Sequence, residues 1–255
     1  MRLFATSDLH TDYKENLEWL KSLSDTDYRH DALIVAGDIS DRLYLIRETL
    51  LLLRSKFKHV LFTPGNHELW VRGVEGDSIK KFRRVLKLCD DINVITTPVR
   101  FHDLWVVPLF SWYDGVFEPD MKDEETVARR AWADFHFCRW PEEAKPLADY
   151  FLRLNEPHLK SYQGPVVSFS HFIPRMDLLP PKQYLRIGWL GAVSVCAALD
   201  SQIRKLNSRV HVCGHTHTTI DRVIDEVRYV QNAVRYPKER SSTPSLPIKL
   251  ICEAA

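Results

Sequence analysis

Residues with metal-ligand chemistry recur in five short clusters: Asp8-Leu9-His10, Gly37-Asp38-Ile39-Ser40-Asp41, Gly65-Asn66-His67-Glu68, Ser170-His171 and Gly214-His215-Thr216-His217. Carboxylate and amide oxygens mixed with imidazole nitrogens suit Mn, Fe, Zn or Ni better than Ca or Mg, which prefer all-oxygen shells. A metallohydrolase centre is therefore the first chemistry to test. Taken singly each cluster is weak, because an isolated His is more often a hydrogen-bonded structural residue and most Asp-x-His tripeptides are surface turns. The force of the pattern lies in the order of all five, each directly after a short apolar run.

Within the clusters, alternate side chains of an extended segment share a face, so Asp8 and His10 could meet one ion. Gly37 allows the backbone to turn sharply beside Asp38. Asn66 offers a neutral oxygen, which keeps the charge of a site moderate, and His67 beside it lies near the metals without having to bind one. His215 and His217 alternate on an extended loop and could point at two different ions.

The elements that must position these residues follow from periodicity. Arg2 to Thr6, the unbroken apolar run Ala32 to Ala36, and His59 to Thr63 read as strands. A strand without polar alternation is expected where both faces of a parallel sheet are buried. Asn16 to Leu23 and Arg42 to Lys56 read as amphipathic helices between them. The resulting βαβαβ unit implies right-handed crossovers, and ligands in such sheets sit just beyond the carboxyl ends of the strands, where Asp8, Asp38 and Asn66 fall. Further along, Ile79 to Leu88 reads as a helix, with strands at Ile92 to Ile95, Leu104 to Val107, Val166 to Phe169, Val210 to Cys213, Arg222 to Ile224 and Val227 to Gln231. Val193 to Leu206 reads as a helix, and Ser241 to Pro247 as a turn-rich surface tail. Residues 111–163 differ in being rich in aromatic and charged residues, and mostly helical from Glu124 onward. They are expected to form a cap or insertion on a single domain spanning 1–255.

The 255 residues suffice to bury a full core. With 45% hydrophobic and 27% charged residues the composition is that of a globular protein. A formal charge of +1, from 35 basic and 34 acidic residues, gives no global field for a nucleic-acid polymer, so such a partner is not favoured. Five cysteines without a CxxC pair point to free thiols in a reducing compartment. No apolar run reaches the length of a membrane span, and the N-terminus has no signal-peptide pattern. A cytoplasmic protein with no membrane partner is the expectation.

Taken together, the five clusters resemble the complete signature of the calcineurin-like metallophosphoesterase superfamily, over Asp8 to His217. The resemblance implies an α/β fold, a four-layer α/β/β/α sandwich, carrying two divalent or trivalent metal ions with Mn, Fe and Zn all common. By the family pattern Asp8, His10 and His217 would bind one ion, Asn66, His171 and His215 the other, and Asp38 would bridge them. It further implies hydrolysis of a phosphomonoester or phosphodiester, on a small phosphorylated substrate, by hydroxide generated between two cations about 3.5 Å apart. His67 fits the general acid for the leaving group, and Asp41 resembles the aspartate that orients this histidine and keeps it protonated. Asp41 also reads as a helix N-cap. Arg42 matches a phosphate-binding arginine of the phosphoprotein phosphatases, or else is a solvated arginine at a helix start. That branch continues its second motif with Val-Asp-Arg-Gly and places Arg before its third. Here Ser40-Asp41-Arg42-Leu43 and Pro64-Gly65-Asn66 stand instead, which argues against a protein-phosphatase role. A nuclease of the same superfamily and a non-catalytic scaffold remain as alternatives. Trp112-Tyr113-Asp114 could stack on a substrate ring or simply build the core of the cap. Lys80, Lys81, Arg83, Arg84 and Lys87 read as a solvated helix face or a contact for a polyanion. His30, His59, His102, His136, His158 and His211 are read as structural.

Overall fold

A computed structural model describes residues 1–73, 76–117, 121–185, 187–240 and 248–254. The first third builds β1 (Arg2–Thr6), α1 (Lys14–Ser22), β2 (Ala32–Ala36), α2 (Leu43–Lys56) and β3 (His59–Thr63), as its periodicity predicts. Then come α3 (Asn66–Leu69), α4 (Ser78–Asp91), β4 (Val99–Phe101), β5 (Leu104–Pro108), α5 (Lys122–Ala131), α6 (Asp134–Phe137) and α7 (Leu147–Leu154). The chain continues through β6 (Val166–Phe169), α8 (Ala198–Lys205), β7 (Ser208–Cys213), β8 (Thr219–Ile224), β9 (Val227–Asn232) and β10 (Lys249–Glu253).

The strands form two sheets, one ordered β10-β1-β2-β3 and the other β4-β5-β6-β7-β9-β8. β1, β2 and β3 are parallel, as are β5, β6, β7 and β9. Alternation along β2 explains its apolar run. Leu33 and Val35 pack with Leu20, Ile46, Leu50 and Leu53 of the helices, whereas Ala32, Ile34 and Ala36 face Val106, Val167, Phe169 and Val212 of the second sheet. Leu199 and Ile203 of α8 cover the far face of that sheet beside Val166 and Tyr229. The layers are helix, sheet, sheet, helix, so the four-layer α/β/β/α expectation holds. Because the parallel strands of both sheets end on the same side, their loops are brought into one place.

Several boundaries differ from the sequence reading. Ile92 caps α4, and of the expected strand Ile92 to Ile95 only Ile95 forms a bridge, to Leu61. The helix expected over Val193 to Leu206 begins only at Ala198, because Val195 pairs with Ile173 in an extended bridge and interrupts it. β4 and β10 carry no strand signal strong enough to read: β10 is an edge strand, antiparallel to β1, with Leu250 exposed. Ser241 to Pro247 lie outside the described residues. From residues 111–163, Trp112, Tyr113, Ala128 and Phe151 pack with Leu69, Ile79 and Phe82 into one cluster. Trp112 and Tyr113 are buried there, which favours the core reading of this pair over substrate stacking. All five cysteines are free. Among the described residues no helix is long and apolar enough to cross a membrane.

Candidate metal centre

Asp8 and His10 follow β1, Asp38 follows β2, Asn66 opens α3 just after β3, His171 follows β6, and His215 and His217 follow β7. Asp8, His10, Asp38, His215 and His217 all have positive φ, between 43° and 72°. For residues with side chains this left-handed backbone is uncommon and is held only when the surroundings determine it. The alternation argument for Asp8/His10 and His215/His217 therefore needs correction: tight turns, not extended pleats, aim these side chains. Gly37 (φ 82°) and Gly65 give the room, since a Cβ at Gly37 would run into the His171 ring and one at Gly65 into Asp38 and His171.

Three acceptors meet at one end of the site. His171 Nε2 lies 3.0 Å from Asn66 Oδ1 and 3.2 Å from His215 Nδ1, which is itself 3.1 Å from Asn66 Oδ1. The opposite ring nitrogens face carbonyls, His171 Nδ1 at 2.9 Å from Ala36 O and His215 Nε2 at 2.9 Å from Val193 O. Carbonyls only accept, so each neutral ring spends its one proton there. The Asn66 amide nitrogen in turn donates at 2.8 Å to Asp134 Oδ1, leaving its oxygen inward. Three lone pairs thus converge with no proton between them, and Asp38 Oδ1 stands 3.5 Å from His171 Nε2. Separations near 3 Å fit ligands of one cation bound at roughly 2.1 Å.

A second cluster lies beside it. His10 Nε2 is 3.0 Å from His217 Nε2, and Asp8 Oδ1 is 3.5 Å from the same His217 atom. Here a proton closes the gap. Burial disfavours charge on His217, but hydrogen bonds to Asp8 and to Glu239 (Nδ1 to Oε2, 2.6 Å) outweigh it and push its pKa up to about 9. His10 is held down to about 3, first by burial and then by the His217 charge, and its Nδ1 is buried without a hydrogen-bond partner. Asp38, 2% exposed, is raised well above the usual carboxylate range by burial and by the charges of Glu68 and Asp8. A cation at each cluster would replace these protons and relieve the crowded carboxylates. Three overlapping sets of side chains, Asp8–His10–His217, His10–Asp38–His67 and Asp38–His171–His215, therefore fit the binding of metal.

His67 is near both clusters. Its Nε2 is 3.8 Å from Asp38 Oδ2 and 3.3 Å from the Tyr236 hydroxyl, and its ring lies 3.7 Å from that of Trp70. Burial, followed by the surrounding imidazoles, lowers its pKa well below the ordinary value. Two expected site residues make other contacts here. The Asp41 carboxylate pairs with Arg72 and lies 4.0 Å from Arg42 Nε, and it does not cap α2, whose N-cap is Arg42. The Arg42 side chain is 60% exposed and lines, with Asp41, Arg72 and Lys81, a cavity of about 300 Å³ on the other side of Trp70. It is not turned toward the clustered histidines. Lys81 also leaves the expected basic face: it is buried, with Nζ donating to the carbonyls of Asp41 and Trp70.

Residues outside the motif readings complete the site. Glu68, fully buried, accepts from the backbone N–H groups of Asp38 (2.9 Å), Ile39 (2.6 Å), Ser40 (3.2 Å) and Gly65 (2.6 Å), tying the second and third clusters together. Glu239 and Tyr236 come from the loop after β9, and the Tyr236 ring packs 4.3 Å from that of His10. Glu68 had a sequence signal in its place within the third cluster; Glu239, Tyr236 and Asp134 had none. The centre opens into a cavity of about 850 Å³ walled by Trp70, Trp132, Pro180, Leu185, Ile187 and Leu190.

The calcineurin-like phosphoesterase family model matches residues 1–219. The chain is 31% identical over 264 residues to acyl-carrier-protein phosphodiesterase PptH of Mycobacterium tuberculosis, an alignment that covers 93% of this chain and 78% of that protein. The crystal structure of the phosphopantetheinyl hydrolase PptH from Mycobacterium tuberculosis superposes with a TM-score of 0.82 at 25% identity, over 98% of this chain and 95% of that one. With two sheets flanked by helices, clustered Asp and His side chains at the strand ends, and a family match across most of its length, this chain belongs to the calcineurin-like phosphoesterase family and is a hydrolase.

Proposed function

We propose that the protein is a metal-dependent phosphodiesterase that releases a phosphopantetheinyl group from a carrier protein, the substrate type named for the mycobacterial relative. The convergence of Asn66, His171 and His215 lone pairs without an intervening proton carries the metal-dependent part of this reading. In it Asp8, His10 and His217 would hold one ion, Asn66, His171 and His215 the other, and Asp38 would be shared. When bound, such cations polarise phosphoryl oxygens and lower the pKa of water.

The remaining roles belong to this chain's own residues. His67, neutral in the metal-free fold, faces the site with Nε2; an anionic phosphoryl group in front of it opposes the downward shift and lets it deliver a proton to the leaving oxygen. Tyr236, at 3.3 Å, takes the neighbouring position that the sequence reading gave to Asp41. The cavity supports a diester over a monoester. Among its described lining residues the cationic side chains are Arg235 and Lys238, few for a dianion or for the repeated phosphates of a nucleic acid, while the apolar walls suit a long neutral arm. A protein-borne arm replaces the small substrate expected from sequence, and residues 111–163 act as a cap that contributes Trp132 to the wall.

The test is intact-mass analysis of a phosphopantetheinylated carrier protein incubated with metal-stripped enzyme refilled with Mn²⁺, alongside p-nitrophenyl phosphate and bis-p-nitrophenyl phosphate. Loss of the arm, with the diester turned over faster than the monoester, is the expected result. An intact arm with metal bound and the monoester preferred would overturn the substrate assignment.

A further inference from the structure

Asp134 opens α6 and is 2% exposed, yet it touches the side chains of Asn66, Trp70 and Trp132. Its Oδ1 accepts from the Asn66 amide at 2.8 Å and from Trp70 Nε1 at 2.6 Å, and its Oδ2 accepts from Trp132 Nε1 at 2.8 Å. Trp70 carries the His67 ring, and Trp132 lies against the His215 ring with centroids 5.7 Å apart. An Asn side chain has nearly the same shape in both amide orientations, so packing alone does not choose which atom faces His171 and His215. A carboxylate that only accepts hydrogen bonds does choose, because the amide nitrogen must turn toward it.

We propose that Asp134 is a positioning residue for the metal centre, holding the Asn66 amide with its oxygen inward and so creating the binding site of the second ion. The inference rests on the ligand set given under Proposed function. It gives residues 111–163 a part in the chemistry besides walling the cavity: one buried carboxylate sets a ligand, the platform of His67 and a cavity wall. Replacing it with Asn keeps the shape but not the pattern of acceptors. If the new amide points its oxygen at Asn66 and Trp70, its nitrogen opposes the Trp132 donor. If it points its nitrogen at Asn66, the Asn66 amide turns over and presents N–H groups to the two histidines.

The test is Mn²⁺ titration by calorimetry, with bound metal counted, on wild type, W70F, D134N and the exchange variant W70F/N66D/D134N. Two ions per wild-type chain check the ligand set itself, and a single ion would fail that reading whatever the variants do. Loss of an outer hydrogen-bond partner costs about 10- to 100-fold in metal affinity, so D134N should bind its second ion that much more weakly. The exchange variant restores the bond with donor and acceptor reversed and again turns an oxygen to the histidines, and W70F removes the indole N–H that would otherwise face the new amide nitrogen; it should recover to within about tenfold of W70F. Unchanged affinity in D134N overturns the proposal, as does a loss that the exchange variant does not recover. If D134N does not fold, the exchange variant decides alone: folding with two ions bound supports the proposal, and failure to fold or to bind the second ion leaves Asp134 a packing residue.

Discussion

His67 lies next to Asp38 and Asn66 in space but its Nε2 is directed at the Tyr236 hydroxyl and the Asp38 carboxylate, at 3.3 and 3.8 Å. His67 stands within ligand reach of His10 and Asp38 but holds neither ion in the proposed ligand set, so His67→Ala should retain both ions by metal analysis while kcat falls by about 10² or more, the scale of a lost general acid. Full turnover in that variant would remove His67 from the mechanism. Gly65 makes the opposite kind of demand. A methyl there would occupy the space of Asp38 and His171, so Gly65→Ala should abolish binding of at least one Mn²⁺ while the far-ultraviolet dichroism stays near that of wild type. Normal metal content in G65A would show that the loops yield more than their packing suggests. Both residues stand in a cluster that the sequence makes conspicuous, whereas Asp134 does not. It is 68 positions from Asn66 in a stretch without a motif, and only folding makes them partners.

At the scale of elements, the C-terminal strand β10 is secured from the other sheet. Asp221 on β8 bonds Arg228 on β9 at 2.7 Å and Lys249 on β10 at 2.9 Å, and Arg228 also donates at 3.2 Å to the carbonyl of Ile251. Hydrogen bonding from Arg228 and then Lys249, against the cost of burial, holds the Asp221 carboxyl below its usual range. A folded pKa below the unfolded value contributes stability above about pH 4 that fades as pH falls through the lowered value. Asp221→Ala should thus lower the melting temperature by roughly 2 °C at neutral pH, given about 0.5–1 kcal/mol for partly exposed pairs, and by less near pH 3. A pH-independent difference would assign the effect to packing. The long buried elements were legible because one face or both repeat with a clear period; β10, with two of its five residues exposed at a sheet edge, was not. The helix expected from Val193 was misjudged because the bridge to Ile173 competes with helical hydrogen bonding, a tertiary contact overriding a local preference.

The molecule as a whole concentrates carboxyl groups at its centre, where Asp8, Asp38, Glu68 and Asp134 are each no more than 2% exposed. Ions that bind this fold and not the unfolded chain stabilise it by mass action, about 2.7 kcal/mol at a hundredfold excess over Kd. Adding Mn²⁺ to chelator-stripped protein should raise the melting temperature by about 5 °C or more, followed by scanning calorimetry. The increment should shrink as pH is lowered. His217, held at about 9, must lose its proton to bind metal, and the upward shift of Asp38 by burial and by Glu68 and Asp8 acts in the same direction, so loading weakens in acid. For His217 in the metal-free protein the sign is reversed: its raised pKa contributes stability below about pH 6.5 that is lost as pH rises through about 9. A metal-induced increment that is flat from pH 6 to 9 would contradict the ligand assignment of these two residues.

The sequence by itself determined the reaction class and the architecture, because each donor cluster is local: a turn after an apolar strand, spelled by consecutive residues such as Gly65-Asn66-His67-Glu68. Periodicity likewise determined the parallel strands that carry those turns to one side. Only the tertiary structure decided which neighbours complete them, since hydrogen-bond partners such as Asp134 for Asn66, Glu239 for His217 and Tyr236 for His67 are distant in the chain and answer to no spacing rule. It also decided the surroundings of Asp41 and Arg42, which sit in sequence where the resemblance expects them but line, with Trp70, Arg72 and Lys81, a cavity of their own.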